Sequence, residues 1–141
     1  MFNIDYYTDY IAKIVSTRFG KAIYSVLVGA VGNVILVIFL SSLMHTATIG
    51  ILLPVIIGFN AALTGYMVLE KTRNGFTHKR TVSIGSGVAM ILVTVVFLNI
   101  LSFQGAGVYL IFAEDLIVPL LVGIVASWLG GMLAVKYFNL N

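Results

Sequence analysis

Side chains able to do acid–base, nucleophilic or metal chemistry are sparse in this 141-residue chain, which has five Asp and Glu, two His and no Cys. The absence of Cys removes thiolate chemistry, disulfides and cysteine metal sites. His45 and His78 are predicted to lie on opposite sides of a membrane, and no His, Asp and Glu group has ligand spacing, so neither a metal nor a cofactor is expected. There is no nucleophile elbow, phosphate loop or dinucleotide fingerprint. The nearest approach, Gly85-Ser86-Gly87, is too short and sits where an apolar stretch begins. These residues point away from an enzyme.

Two polar sets remain. Lys71, Arg73, Lys79 and Arg80 cluster with His78 between residues 70 and 80. Such a cluster draws anionic headgroups at about 1 kcal/mol per basic residue, so it is either a topology determinant or a site for the phosphate of a lipid-linked substrate. Asn33, Asn60 and Asn99 are the strongest polar groups inside apolar stretches. Each is expected to hydrogen-bond between helices or to line a polar groove. No ionisable side chain falls in the interior of those stretches, and Glu70 beside Lys71 reads as a pair at headgroup level. That pattern argues against a proton-coupled antiporter and an intramembrane protease.

The elements that must position these groups are membrane spans. The chain is 60% hydrophobic and 9% charged, with a mean hydropathy of +1.09. A soluble domain carries about 25% charged residues, so most of this surface must face lipid or apolar protein. Residues 22–44, 48–69, 82–103 and 116–137 are each long and apolar enough to cross a ~30 Å hydrocarbon core as a helix. They are continuously apolar, unlike the alternating strands of a barrel. All eight Lys and Arg fall on one side of these spans, which places both termini and the middle loop in the cytoplasm of a multi-pass cell-membrane protein. The basic residues are therefore topology signals, the partner is the bilayer, and nucleic acid is not expected. Asp5, Asp9, Lys13 and Arg18 interrupt the start of the chain, so no cleavable signal peptide is expected.

Residues 1–20 read as an amphipathic helix lying in the interface. Phe2, Tyr6, Tyr7, Tyr10, Ile11 and Ile14 give an apolar, aromatic face, and Asp5, Asp9 and Lys13 recur every four residues on the polar face. Residues 104–115 form the longest outer loop, with an apolar stretch at 108–112 that could dip into the interface.

Residues 51–71 match 116–136 at a constant offset of 65, pairing Pro54 with Pro119, Gly58 with Gly123, Ala61 with Ala126, Gly65 with Gly130, Met67 with Met132 and Lys71 with Lys136. Ala62 opposite Ser127 keeps a small residue, and Asn33 and Asn99 occupy similar places at an offset of 66. Matches on Pro, Gly and small residues carry positional meaning. The expected architecture is an all-α bundle of two tandem hairpins, about 21–75 and 76–141, related by a pseudo-twofold axis along the membrane normal. The prolines fall near the starts of their spans, where a missing N–H is tolerated.

Gly29, Gly58, Ala62, Gly65, Gly123, Ser127, Gly130 and Gly131 line faces with small residues at helical spacing, which permits close helix contact in lipid. They are expected to pack a tight four-helix core or to form an oligomer interface. The function expected from these features is a non-enzymatic accessory subunit or homo-oligomer assembling through those faces. The alternative is a small transporter or flippase for a lipid-linked or anionic substrate.

The doubled pattern Pro-x3-Gly-x2-Ala-x3-Gly resembles small, glycine-rich, four-helix archaeal membrane proteins of unknown function, with Gly65-Tyr66 ending one hairpin and Asn74-Gly75 beginning the next. Arg18-Phe19, Val28-Gly29, Asn33 and Lys136-Tyr137-Phe138 are similar to the start and end of the GtrA-like family, which shares the length, four spans and cytoplasmic termini. That resemblance implies a role in moving polyprenyl-phosphate-linked sugars across membranes. The Asn-Phe and Arg-x-Trp elements of that family are missing around residues 60–71.

Overall fold

The computed structural model describes residues 4–103 and 116–140, and the described residues are helical apart from short connections. Five α-helices follow in order: α1 (Ile4–Ser16), α2 (Arg18–Leu43), α3 (Thr46–Thr72), α4 (Lys79–Phe103) and α5 (Ile117–Tyr137). The last four are long and apolar enough to cross a membrane, at the positions expected from hydropathy. The chain is a multi-pass membrane protein. Phe2 and the outer loop at 104–115 lie outside the described residues.

Local chemistry sets the breaks. Thr17 is extended, and its hydroxyl accepts the Gly20 N–H at 3.0 Å, capping α2 and separating it from α1. Met44 and His45 are both extended and turn the chain directly into α3. At the far end of α3, Arg73 adopts a positive φ of 47° and donates its N–H to the Leu69 carbonyl, after which one 3₁₀ turn (Arg73–Gly75) leads toward α4.

One expectation needs correcting here. Pro119 falls in the first turn of α5, but Pro54 lies two turns inside α3, because the apolar residues ahead of it continue the helix. Gly50 stands four residues before Pro54, where a proline ring crowds the backbone and a small residue gives most room.

The core lies where α2, α3 and α4 meet, on Ala30, Val37, Ile57, Ala61, Met90 and Ile91. The outward positions are also apolar: Ile35, Phe39, Ile51, Phe59, Val125 and Leu133 are all exposed. In water such a surface would aggregate; in hydrocarbon it is the ordinary exterior.

α3 and α4 each touch the other three spans, whereas α2 and α5 stand at opposite corners without substantial contact. The closest pair is α3 with α5. At their crossing, a Cβ on Gly65 would fall on the Ser127 carbonyl, and a Cβ on Gly130 would fall on the Ala62 carbonyl. Gly65 and Gly130 stand 65 positions apart, as do Ala62 and Ser127, so the two contacts exchange under that offset. Gly58 against Val122 and Gly123 against Ile57 exchange in the same way. The reciprocity is local. α3 packs against α4 while α2 and α5 make no substantial contact, so the exchange does not extend to the packing of all four spans.

Candidate functional site

The small residues expected at interfaces are consumed inside one chain. Gly29 lies beneath Thr64 and Met90, Gly123 beneath Ile91, and Gly131 beneath Ser83. Ser83 donates its hydroxyl to the Ser127 carbonyl, the same oxygen that Gly65 approaches. Gly29, Gly65, Gly123, Ser127, Gly130 and Gly131 are buried; Gly58 and Ala62 are half-buried. These faces hold helix to helix within the bundle.

The amides separate into two groups. Asn60 donates to the Asn33 side-chain oxygen at 2.7 Å, and Asn33 donates to Thr94 Oγ1 at 3.1 Å and Met90 Sδ at 2.8 Å. Thr94 in turn donates to the Met90 carbonyl at 2.8 Å. Asn33 is fully buried and Asn60 only 7% exposed. The two amides therefore form a closed polar link joining α2, α3 and α4, and they do not line a groove. Asn99 is half-buried, five residues beyond Thr94 on α4 and apart from this link.

The basic ends of the spans carry a more open arrangement. The four cations predicted as one cluster divide into two pairs. The Lys71 ammonium sits 4.8 Å above the Tyr24 ring, and the Arg73 guanidinium 5.0 Å above the Phe138 ring. Each is engaged by an aromatic face. Lys79 and Arg80 instead open α4 at the rim of a cavity of about 620 Å³ between the start of α4 and the end of α5.

Lys136 completes the cationic rim of this cavity with His78 beside it, while Leu69, Trp128, Met132 and Val135 give it an apolar wall. Ser83 and Gly131 lie in its floor, and among the described residues no carboxylate lines it. One end thus suits an anion and the other a hydrocarbon, in a space large enough for a small ligand. Among the described residues, no group of three or more His, Asp and Glu could hold a metal ion.

In the sequence Lys136 stands out for topology, for its pairing with Lys71 and for the basic–aromatic ending, but not as a site residue, and Trp128 does not stand out. A signal was present: Trp128, Met132, Val135 and Lys136 recur at i, i+4, i+7 and i+8 and so share one face of α5. Which basic residues accompany that face was decided by packing, since Lys79 and Arg80 come from another helix.

Comparison with known proteins finds no matching family model, no similar curated protein and no similar solved structure.

Proposed function

We propose that this chain is a non-enzymatic membrane carrier that takes an anionic amphiphile into the groove between α4 and α5, at the cytoplasmic headgroup level. The observation that carries it is the meeting of Lys79, Arg80 and Lys136 with Trp128, Met132 and Val135 around one cavity. A phosphate or carboxylate headgroup fits the cationic rim, and its apolar part lies along α5 toward the lipid. The small-residue faces that self-assembly would use are filled by the chain's own helices, which favours this reading over an oligomeric scaffold.

α1 fits the same setting. It makes limited contact with α2 and leaves Tyr6, Tyr7, Tyr10 and Ile11 exposed. Aromatic residues of this kind are at home at headgroup level, so α1 lies in the interface.

Trp128 is the chain's single tryptophan and lines the groove, so its fluorescence reports occupancy directly. The purified protein in neutral detergent is titrated with short-chain phosphatidic acid, with short-chain phosphatidylcholine and with inorganic phosphate. Saturable emission change with phosphatidic acid alone supports the proposal. A response to inorganic phosphate alone would make the site one for a free anion. No saturable response, or one indifferent to Lys136→Ala, would overturn it.

A further inference from the structure

One wall of the groove is tied down from outside it. Thr77 and His78, which line the cavity, belong to the connection between the 3₁₀ turn and α4. That connection has no helical hydrogen-bond ladder of its own. Its position is set by what grips residues 73–76.

Arg18, at the first turn of α2, makes that grip from one side. Its Nη1 donates to the Gly75 carbonyl at 3.0 Å, and its guanidinium lies 5.3 Å from the Phe19 ring and 5.7 Å from the Phe76 ring. The two rings meet edge to face at 5.6 Å. Arg73 grips from the other side through Phe138, just beyond the end of α5. From the first residue of α4, Lys79 Nζ reaches back to the Phe76 carbonyl at 3.4 Å, so the residue held by Arg18 also touches a rim cation. Arg18 itself does not line the groove.

We infer that Arg18 is a positioning residue for the groove: by pinning Gly75 and Phe76 to the start of α2, it holds Thr77, His78 and Lys79 against α5. This rests on the groove being a binding site, and extends that proposal to a residue outside it. Arginine suits the task because one planar group can donate to a carbonyl and present faces to two rings at once. Lysine keeps the charge and the attraction to aromatic faces but lacks the planar fork, so it should restore only part of the effect.

The chain has no cysteine, so Thr77→Cys gives one labelling site on the wall itself. Its rate of reaction with a hydrophilic maleimide is measured in detergent without ligand, with Arg18 intact and with Arg18→Gln or Arg18→Lys. Trp128 fluorescence gives phosphatidic acid affinity of the same Arg18 variants in the cysteine-free chain, and helical content with gel-filtration position checks that each variant is folded. Expected for Arg18→Gln is labelling faster by about two- to fivefold and affinity weaker by a similar factor, with Arg18→Lys between it and the parent.

Weaker affinity with unchanged labelling would overturn the inference, since Arg18 would then act on the ligand's charge directly. Faster labelling with unchanged affinity would also overturn it, because the wall would have loosened without consequence. If the parent protein binds no phosphatidic acid while Arg18→Gln still labels faster, the pinning of residues 75–79 stands and the binding proposal falls. An Arg18→Gln variant that does not fold leaves Arg18→Lys to decide: labelling and affinity both equal to the parent's would overturn the inference.

Discussion

Gly130 lies so close to Ala62 that a methyl group on its Cα would clash with the Ala62 carbonyl oxygen. The obstacle is backbone, which cannot swing aside as a side chain does. Gly65 meets the Ser127 carbonyl in the same manner. Gly65→Ala and Gly130→Ala should therefore each destabilise the bundle by about 1–3 kcal/mol, the usual range for overpacking, and by similar amounts because the contacts are reciprocal. Gly85, which has open space around it, is the control: Gly85→Ala should be neutral or stabilising by up to about 1 kcal/mol. Unfolding in mixed micelles with rising denaturing detergent measures all three. Equal tolerance at positions 65 and 85 would contradict the close α3–α5 crossing.

Gly123 offers a graded case. Its obstacle is the end of the Ile91 side chain, which can change rotamer. Gly123→Ala should cost less than Gly130→Ala, and the double change Gly123→Ala with Ile91→Val should recover part of the loss. The same unfolding assay reads the order.

The amide link predicts coupling. Asn33→Ala removes the acceptor for Asn60 and the donor to Thr94 in one step, while Asn60→Ala removes its bond to Asn33 and a longer one to the Ile56 carbonyl of its own helix. Each should cost about 0.6–2 kcal/mol, the range for interhelical hydrogen bonds in membranes, with Asn33→Ala the larger. The double variant should cost clearly less than the sum of the two, because both changes break the Asn60–Asn33 bond. Strict additivity in a double-mutant cycle would mean the bond contributes nothing.

The division of the basic residues predicts unequal effects on anionic lipid binding. Lys79→Ala and Lys136→Ala should each weaken phosphatidic acid binding about fivefold, corresponding to about 1 kcal/mol per basic residue at a headgroup. Lys71→Ala should have a smaller effect, since that ammonium lies over Tyr24 and away from the cavity. Raising ionic strength should weaken binding to the parent more than to Lys136→Ala. Titration of Trp128 fluorescence measures each. If Lys71→Ala matched Lys136→Ala, diffuse surface charge would explain binding as well as the groove does.

Orientation is open to a direct check. With the termini and the basic middle loop cytoplasmic, Thr77→Cys in intact cells should be shielded from a membrane-impermeant maleimide, and His45→Cys should react. The reverse pattern would invert the membrane placement and move the groove to the outer leaflet.

Much of this architecture is legible without coordinates because lipid imposes simple rules on composition. Four long apolar stretches must be helices, since a backbone in hydrocarbon has to satisfy its own hydrogen bonds, and their lengths follow from bilayer thickness. The small residues of α3 and α5 likewise announced close contact through their spacing. Their spacing alone could not say whether the contact was within a chain or between copies. That depended on which helices the fold made neighbours.

The site was less legible for a related reason. Lys71, Arg73, Lys79 and Arg80 are neighbours along the chain and equal in charge, so sequence treats them as one set. A helix end, a positive-φ turn and two aromatic rings then send two of them away and leave two at a cavity whose other wall is α5. Composition and periodicity alone determined that the chain lives in a membrane, how many times it crosses and which stretches form its spans, because the solvent acts on each segment separately. Only the tertiary structure decided which glycine meets which carbonyl, that Asn33 and Asn60 bond to each other, and which cations share a groove, because those depend on contacts between segments far apart in sequence.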